Sequence, residues 1–341
     1  MSRRVVTMIT AGVLLLLLGV GGSQLPVPYV ALSPGPTLDT LGNDTGGKEI
    51  IQIAGQTERK SNGHLNLTTV GVRDRLDLFT AFRAWLDRRA SVVPREEIYP
   101  PGKSDQEVDQ ETTQQFVDSQ DTAEFAALGE LGYPQQVVIQ SVPKGSPSTG
   151  KLAEKDVVTS IEGKPVRGYE DVSNVLVALA PGTEVTVGYS RAGKPGSTKI
   201  VTTKPTDRKG AAVGVVLTLR RKAPFQVKIQ LDESIGGPSA GLMFALGIME
   251  KVGPDELTGG KFIAGTGTID RDGSVGPIGG IQLKMIGARD KGAVVFLVPK
   301  DNCADALARP PAGLQLIKVG TLHEAVVALK ALKAGQPVPS C

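Results

Sequence analysis

A glycine-rich turn at 236–241, Gly236-Gly237-Pro238-Ser239-Ala240-Gly241, joins two segments of opposite periodicity and constrains this chain more than any other feature. Before it, 225–231 (FQVKIQL) alternates apolar and polar, as a half-buried strand does. After it, 240–251 (AGLMFALGIMEK) is apolar enough to be a buried helix, and Gly253-Pro254 stops it. A strand, a tight turn and a helix therefore follow in order, with a serine at the bend. Helix N-termini leave backbone amides unpaired, so the Ser239 hydroxyl would lie beside donors able to hold an oxyanion. The amides of Gly236, Gly237 and Ser239 are the candidates. The same turn read alone also fits a plain helix cap.

A serine nucleophile needs a base. The chain has only two histidines, His64 and His323. The first lies far upstream, and the second opens a C-terminal helix where a solvated or capping role is the ordinary one. A Ser-His-Asp triad is therefore poorly supported. No H-E-x-x-H and no clustered Cys/His set occurs, which argues against a metal site. Lys284 remains, in Gly279-Gly280-Ile281-Gln282-Leu283-Lys284-Met285-Ile286, on a predicted helix at 281–291 behind a second glycine turn. Burial among apolar neighbours favours the neutral amine, which can accept a proton. A lysine on an amphipathic helix is equally a surface residue until its setting is known.

The setting comes from a resemblance. PSAGL at 238–242, Thr266-Gly267 before a hairpin, and PIGGIQLKMIGA at 277–288 occur in the order and spacing of the proteolytic domain of Lon-type serine peptidases. Ser239 and Lys284 are 45 residues apart, close to that family's separation. The resemblance implies Ser239 as nucleophile, Lys284 as general base and Thr266 as the residue that orients the amine. It implies peptide-bond hydrolysis with no cofactor and no metal. One departure is Gly236, where many Lon enzymes carry aspartate. Two matches to G-x-x-x-x-G-K, at 145–151 and 188–194, lack the following Ser/Thr, so no intrinsic ATP hydrolysis is expected.

Upstream, 145–166 (GSPSTGKLAEKDVVTSIEGKPV) and the helix after it resemble a PDZ domain of the bacterial protease type. Lys155 stands where that family has glycine before the aspartate. The peptide-binding loop, looked for near Leu131-Gly132-Tyr133-Pro134, is not a clear match.

The first residues carry Arg3 and Arg4 and then an apolar run at 5–22 (VVTMITAGVLLLLLGVGG). Eighteen helical residues span about 27 Å, against a hydrocarbon core of about 30 Å. The run reads as an uncleaved anchor because no A-x-A site follows it; a cleaved signal peptide is the alternative. The next basic residue is Lys48, so the positive-inside rule puts the N-terminus in the cytoplasm and the body outside it, a single-pass cell-membrane protein. Cys303 and Cys341 could pair there or stay as thiols.

The expected architecture is multidomain: a transmembrane helix at 1–30, a mixed N-terminal extracytoplasmic segment at 31–124, a β-rich PDZ domain with helices at 125–205, and an α/β Lon-type proteolytic domain at 210–335. Strands are expected at 49–54, 137–142, 211–217, 225–231, 262–265 and 294–299, and helices at 75–89, 169–179 and 322–333. Residues 103–121 read as an exposed helix or a connector. With 4% aromatics and a net charge of +3 without a basic stripe, nucleic acid is not an expected partner. The whole layout resembles the membrane-anchored PDZ–Lon serine proteases of Gram-positive bacteria (the YlbL-like group), with ALSPGPTLDTLG, GHLNLTTV and PREEIYPPGK as the N-terminal match. That implies protein or peptide substrates among membrane-associated or exported proteins, reached by an endopeptidase whose PDZ domain recognises or gates them, and leaves a homo-oligomer open. The competing reading is a PDZ adaptor with an inactive Lon-like domain.

Overall fold

The computed structural model describes residues 2–44, 46–205, 209–231 and 236–341. The chain starts in helix α1, Arg3–Gln24, whose Arg3–Gly22 stretch has mean hydropathy 2.3 and is almost wholly exposed. It is long and apolar enough to cross a membrane. Strand β1 (Tyr29–Asp39) follows, then β2 (Ile51–Ala54) and β3 (His64–Arg73). Helix α2 (Leu78–Leu86) starts where the Asp77 carboxylate accepts from the Phe79 and Thr80 amides, a good N-cap. Strand β4 (Ser91–Pro94) and the long helix α3 (Asp105–Glu130) complete the N-terminal part. The 103–121 stretch is thus helical throughout its larger part, and one face of α3 is buried through Phe116, Ser119, Ala123, Ala126 and Ala127.

Residues 128–224 form one of two compact units. It holds β5 (Gln135–Ser141), β6 (Val157–Ile161), the short β7 (Lys164–Pro165), helix α4 (Tyr169–Val177), the hairpin β8 (Glu184–Arg191) and β9 (Lys194–Val201), and β10 (Val216–Arg221). The antiparallel sheet runs β10-β5-β6-β8-β9, with β7 beside β6. Inward Val137, Ile139, Val158, Ile161, Val185, Val187 and Ile200 pack against Val172 and Leu176 of α4. Lys155, at the glycine position of the family pattern, takes φ +69°, the left-handed region that glycine enters without strain. The fold tolerates it because the Lys155 amide donates to the Ile139 carbonyl at 2.9 Å. Next to it, Asp156 is fully buried and gripped by the Arg191 guanidinium at 2.7 Å. That hydrogen bond holds the carboxyl below the ordinary aspartate range.

The other unit joins 1–127 to 225–341. Its C-terminal part contains β11 (Gln226–Ile229), α5 (Gly241–Val252), β12 (Phe262–Gly265), the hairpin β13 (Thr268–Ile269) and β14 (Val275–Gly276), α6 (Ile281–Lys291), β15 (Val295–Pro299), α7 (Cys303–Ala308), β16 (Gln315–Val319) and α8 (Leu322–Lys333). Six strands form one sheet in the order β16-β15-β12-β3-β1-β4. Strands β16, β15, β12 and β3 run parallel, and β1 and β4 add antiparallel on one side. Fully buried β15 (VFLVP) reads as a continuous apolar run, as a central parallel strand must. A second ladder pairs β11 with β2.

These pairings regroup the expected boundaries. Within the 31–124 segment, β1, β3 and β4 are strands of the same sheet as β12 and β15. The strand expected at 211–217 lies at Val216–Arg221 instead, and pairs with β5 in the 128–224 unit rather than opening the α/β domain. The 128–224 unit is therefore an insertion within one α/β unit. Cys303 and Cys341 form a disulfide that ties the C-terminal tail to the start of α7.

Candidate active site

Ser239 is fixed by three neighbouring elements. Gly237 takes φ +86° and ψ 156°, a conformation nearly restricted to glycine, and this brings the chain sharply into a short 3-10 turn at Pro238–Ala240 ahead of α5. The Ser239 carbonyl accepts from the Gly267 amide at 2.9 Å and from Thr266 Oγ1 at 3.0 Å. The Leu242 amide returns a bond to the Gly267 carbonyl at 3.1 Å. Gly241 must lack a side chain, because a Cβ there would meet Ile269 Cγ2 at 2.7 Å. On the other side stands α3: Ser119 Oγ donates to the Pro238 carbonyl at 3.3 Å, and the Gly237 amide donates to the Thr112 carbonyl at 3.0 Å.

That last bond alters one expectation. The Gly237 amide was to be an oxyanion donor, and in this conformation the Thr112 carbonyl of α3 takes it. Gly236 is exposed at the mouth of the turn, where a Cβ would run into Thr112 Cγ2 at 2.5 Å.

Lys284 reaches the serine from α6. Gly280 caps that helix in the left-handed region, with φ +69°, and a Cβ there would meet Val70 Cγ2 of β3 at 2.8 Å. Residues 281, 284, 285 and 288 share one helix face (i, i+3, i+4, i+7), and all four are buried. The Lys284 amine therefore projects into the interior, where it lies 2.7 Å from Ser239 Oγ and 3.0 Å from Thr266 Oγ1. Its side chain is 3% exposed. Burial disfavours the ammonium and pulls the pKa down from 10.5 to about 8. Lys251, the other buried lysine of the unit, sits 2.7 Å from the Glu58 carboxylate. Lys284 has hydroxyls for partners instead.

The hydrogen-bond directions follow from the donor inventory. The single Thr266 proton goes to the Ser239 carbonyl, so Thr266 Oγ1 can only accept from Lys284. A neutral amine has two protons and one lone pair. One N–H is committed to Thr266, and the lone pair is left to face the Ser239 hydroxyl. The fully buried threonine thereby fixes the amine's rotation.

Ser239 and Lys284 border a cleft of about 1240 Å³, and Thr266 lies buried behind them. One wall is α6 and the Ser239 turn; the opposite wall comes from the N-terminal part, through Thr69 and Val70 of β3, Arg88, Tyr99 and Thr112. Sequence reasoning did not find this wall, since neither the β3 pairing nor the polar stripe of α3 carries a chemical motif. Histidine does not enter: His64 Nδ1 lies 2.6 Å from Asp39 Oδ2 at the start of β3, and His323 sits on α8.

Two family models match parts of the chain. Residues 112–202 match the PDZ domain family and 233–331 match the Lon protease (S16) C-terminal proteolytic domain. Lon protease 2 of Bacillus subtilis is 25% identical over 197 residues, which is 56% of this chain and 32% of that protein. Lon protease 1 of Sorangium cellulosum is 38% identical over 93 residues, 26% of this chain and 11% of that one. The chain thus spans about a third or less of these relatives. Among solved structures, the PDZ domain of an SdrC-like protein from Listeria monocytogenes is 21% identical, with a TM-score of 0.23, over 24% of this chain and 85% of that one. This chain carries a PDZ domain and a Lon-type S16 proteolytic domain.

Proposed function

We propose that this chain is a membrane-anchored serine endopeptidase in which Ser239 and Lys284 form a catalytic dyad and Thr266 positions the lysine. The observation that carries this reading is the 2.7 Å approach of a buried lysine amine to Ser239 Oγ. With a pKa near 8, a useful fraction of Lys284 is neutral at physiological pH. Ser239 Oγ attacks a peptide carbonyl carbon as its proton passes to Nζ. Backbone amides of the nucleophile turn hold the developing oxyanion, that of Ser239 first; Gly237 joins only if Thr112 releases it. The ammonium then returns its proton to the leaving amine, and water hydrolyses the acyl-enzyme with Lys284 again as base.

Helix α1 would hold the enzyme in the membrane with its N-terminus in the cytoplasm, and the Cys303–Cys341 disulfide fits an oxidising compartment on the far side. Substrates would be membrane-associated or exported polypeptides. A peptide would be recognised by strand addition to the sheet edge of the PDZ domain. Strand β10 is that edge: it follows left-handed Gly210 and Gly214 and lies beside α4, where Tyr169 Oη donates to the Leu217 carbonyl at 3.2 Å. On this reading the recognition element is the 210–221 stretch, and the Leu131-Gly132-Tyr133-Pro134 loop is not used.

The test is covalent labelling of the full chain by a serine-reactive probe, with peptide hydrolysis measured alongside. Labelling and hydrolysis should both disappear in Ser239→Ala and in Lys284→Ala. Failure of the folded wild type to label would instead support a PDZ adaptor with an inert Lon-like domain.

A further inference from the structure

Helix α2 is built inside out. Its small residues face the protein: Ala81 is buried and Ala84 packs with it against Ala31, Leu76 and Val27. Its large apolar residues face away. Leu78, Phe79, Phe82, Trp85 and Leu86 are 47–70% exposed. At about 100° per residue they cover an arc of about 120°, with exposed Arg83 at its border. A contiguous patch of this kind on a soluble surface marks an interaction site.

Its position selects the occupant. The Val27 amide, three residues beyond α1, donates to the Leu76 carbonyl at 2.9 Å, and Pro26 forms a bridge with Asp77, the N-cap of α2. The Phe79 ring rests against Gly22 in the last turns of α1, where a Cβ would meet it at 2.7 Å. The N-terminus of α2 is therefore hydrogen-bonded to the residues at which the apolar helix ends. If α1 spans a bilayer, α2 starts at that bilayer's surface.

We infer that α2 is an interfacial helix that lays Leu78, Phe82, Trp85 and Leu86 into the outer edge of the lipid bilayer, with Arg83 and Arg88 at the level of the lipid phosphates. An amphipathic helix with aromatic and leucine residues on one face and arginines at its border has the composition for this. The inference rests on the reading of α1 as a membrane anchor. It also has a consequence for substrate choice. Arg88, two residues past the end of α2, lines the cleft that holds Ser239 and Lys284. Docking by α2 puts that rim of the cleft at the lipid surface, so the segments cut are those lying close to the membrane.

Trp85 is the chain's only tryptophan, so fluorescence of the full chain reports this site alone. The protein is reconstituted into vesicles of phosphatidylethanolamine and phosphatidylglycerol, with and without bromine on the acyl chains. Expected is a blue-shifted emission, quenched more by bromine near the headgroup end of the chain than by bromine at its terminus, and shielded from aqueous acrylamide. Replacing Phe82 and Leu86 together by glutamine should restore acrylamide access while alkaline carbonate still fails to extract the protein. Membrane-integrated protein whose Trp85 is reached by acrylamide and not by bromine overturns the inference and leaves the anchor standing. Trp85 shielded from both, with shielding that weakens on dilution into excess lipid, also overturns it, in favour of a second copy on this face. Extraction by carbonate overturns the anchor; Trp85 then unquenched by brominated vesicles overturns the interfacial helix as well.

Discussion

Replacing Lys284 by methionine should remove activity and at the same time make the protein more stable near neutral pH. The side chains have similar length, so the buried stem keeps its packing. In the folded chain Lys284 has a pKa of about 8, against 10.5 when exposed. At about 1.4 kcal/mol per pKa unit, holding the ammonium in this site costs about 3 kcal/mol below pH 8. The sign follows from proton binding. Between pH 8 and 10.5 the unfolded chain holds more protons at this position than the folded one, so wild-type stability rises with pH across that window. Methionine has no such rise. It loses two hydrogen bonds to hydroxyls, worth about 1 kcal/mol each. Lys284→Met should therefore be more stable than wild type by about 1 kcal/mol at pH 7, and less stable by about 2 kcal/mol at pH 10.5. For a unit of this size a 3 kcal/mol swing corresponds to about 6–12 °C in Tm. The assay is calorimetry of both full-length proteins in detergent at several pH values, reading only the difference between them. A difference that stays constant from pH 7 to 10.5 would refute the reasoning, because it would mean Lys284 titrates as a solvated lysine. The wild-type peptidase rate should rise through the same pKa near 8; a rise only near pH 10 counts equally against a buried base.

Thr266→Val leaves one amine proton without an acceptor and removes one of the two donors to the Ser239 carbonyl. A buried unpaired donor costs about 1–3 kcal/mol, so kcat should fall about 10- to 100-fold with KM nearly unchanged, and Thr266→Ser should restore most of it. Gly237→Ala forces a side chain into φ +86° and should cost about 1–3 kcal/mol by urea denaturation, while Gly279→Ala, with open space at its Cβ, should cost little. In the PDZ domain, Asp156→Asn removes the buried negative charge that pairs with half-exposed Arg191 and should destabilise that unit by about 2 kcal/mol at neutral pH. Because the folded carboxyl titrates below 3.8, the wild-type advantage should shrink as pH falls below that value, which a urea series on the two proteins would follow.

Local chemistry was legible in the sequence because it is written in short-range patterns. Glycines at 236, 237 and 280 announce turns, and the alternation of 225–231 and the apolar run of 240–251 announce the strand and helix on either side of Ser239. Helix α6 starts and ends where its glycines place it, Gly280 before and Gly292 after. Helix α3 was harder to place. Its inward stripe includes half-buried Thr112 and buried Ser119, polar residues that face the Ser239 turn rather than an apolar layer, so periodicity in hydropathy does not reveal it. Strand β10 was given to the wrong unit for a related reason: its six residues pair equally well with any free edge, and only the β5 register decides.

The sequence alone pointed to the three residues to watch, because PSAG, T-G and PIGG-x-x-K in that order and spacing resemble the Lon-type proteolytic domain. It determined the apolar N-terminal helix by length and composition. Tertiary structure decided what makes the residues a site. Ser239, Thr266 and Lys284 come from three elements up to 45 residues apart, and their 2.7 and 3.0 Å contacts exist only once α6 packs across β3. The far wall of the cleft comes from residues before the PDZ domain, and parallel pairing of β3 with β12 brings it there across almost 200 residues of chain. The lowered pKa of Lys284 belongs to no residue pattern. It arises from excluding water around one amine, which a folded interior does and a sequence cannot.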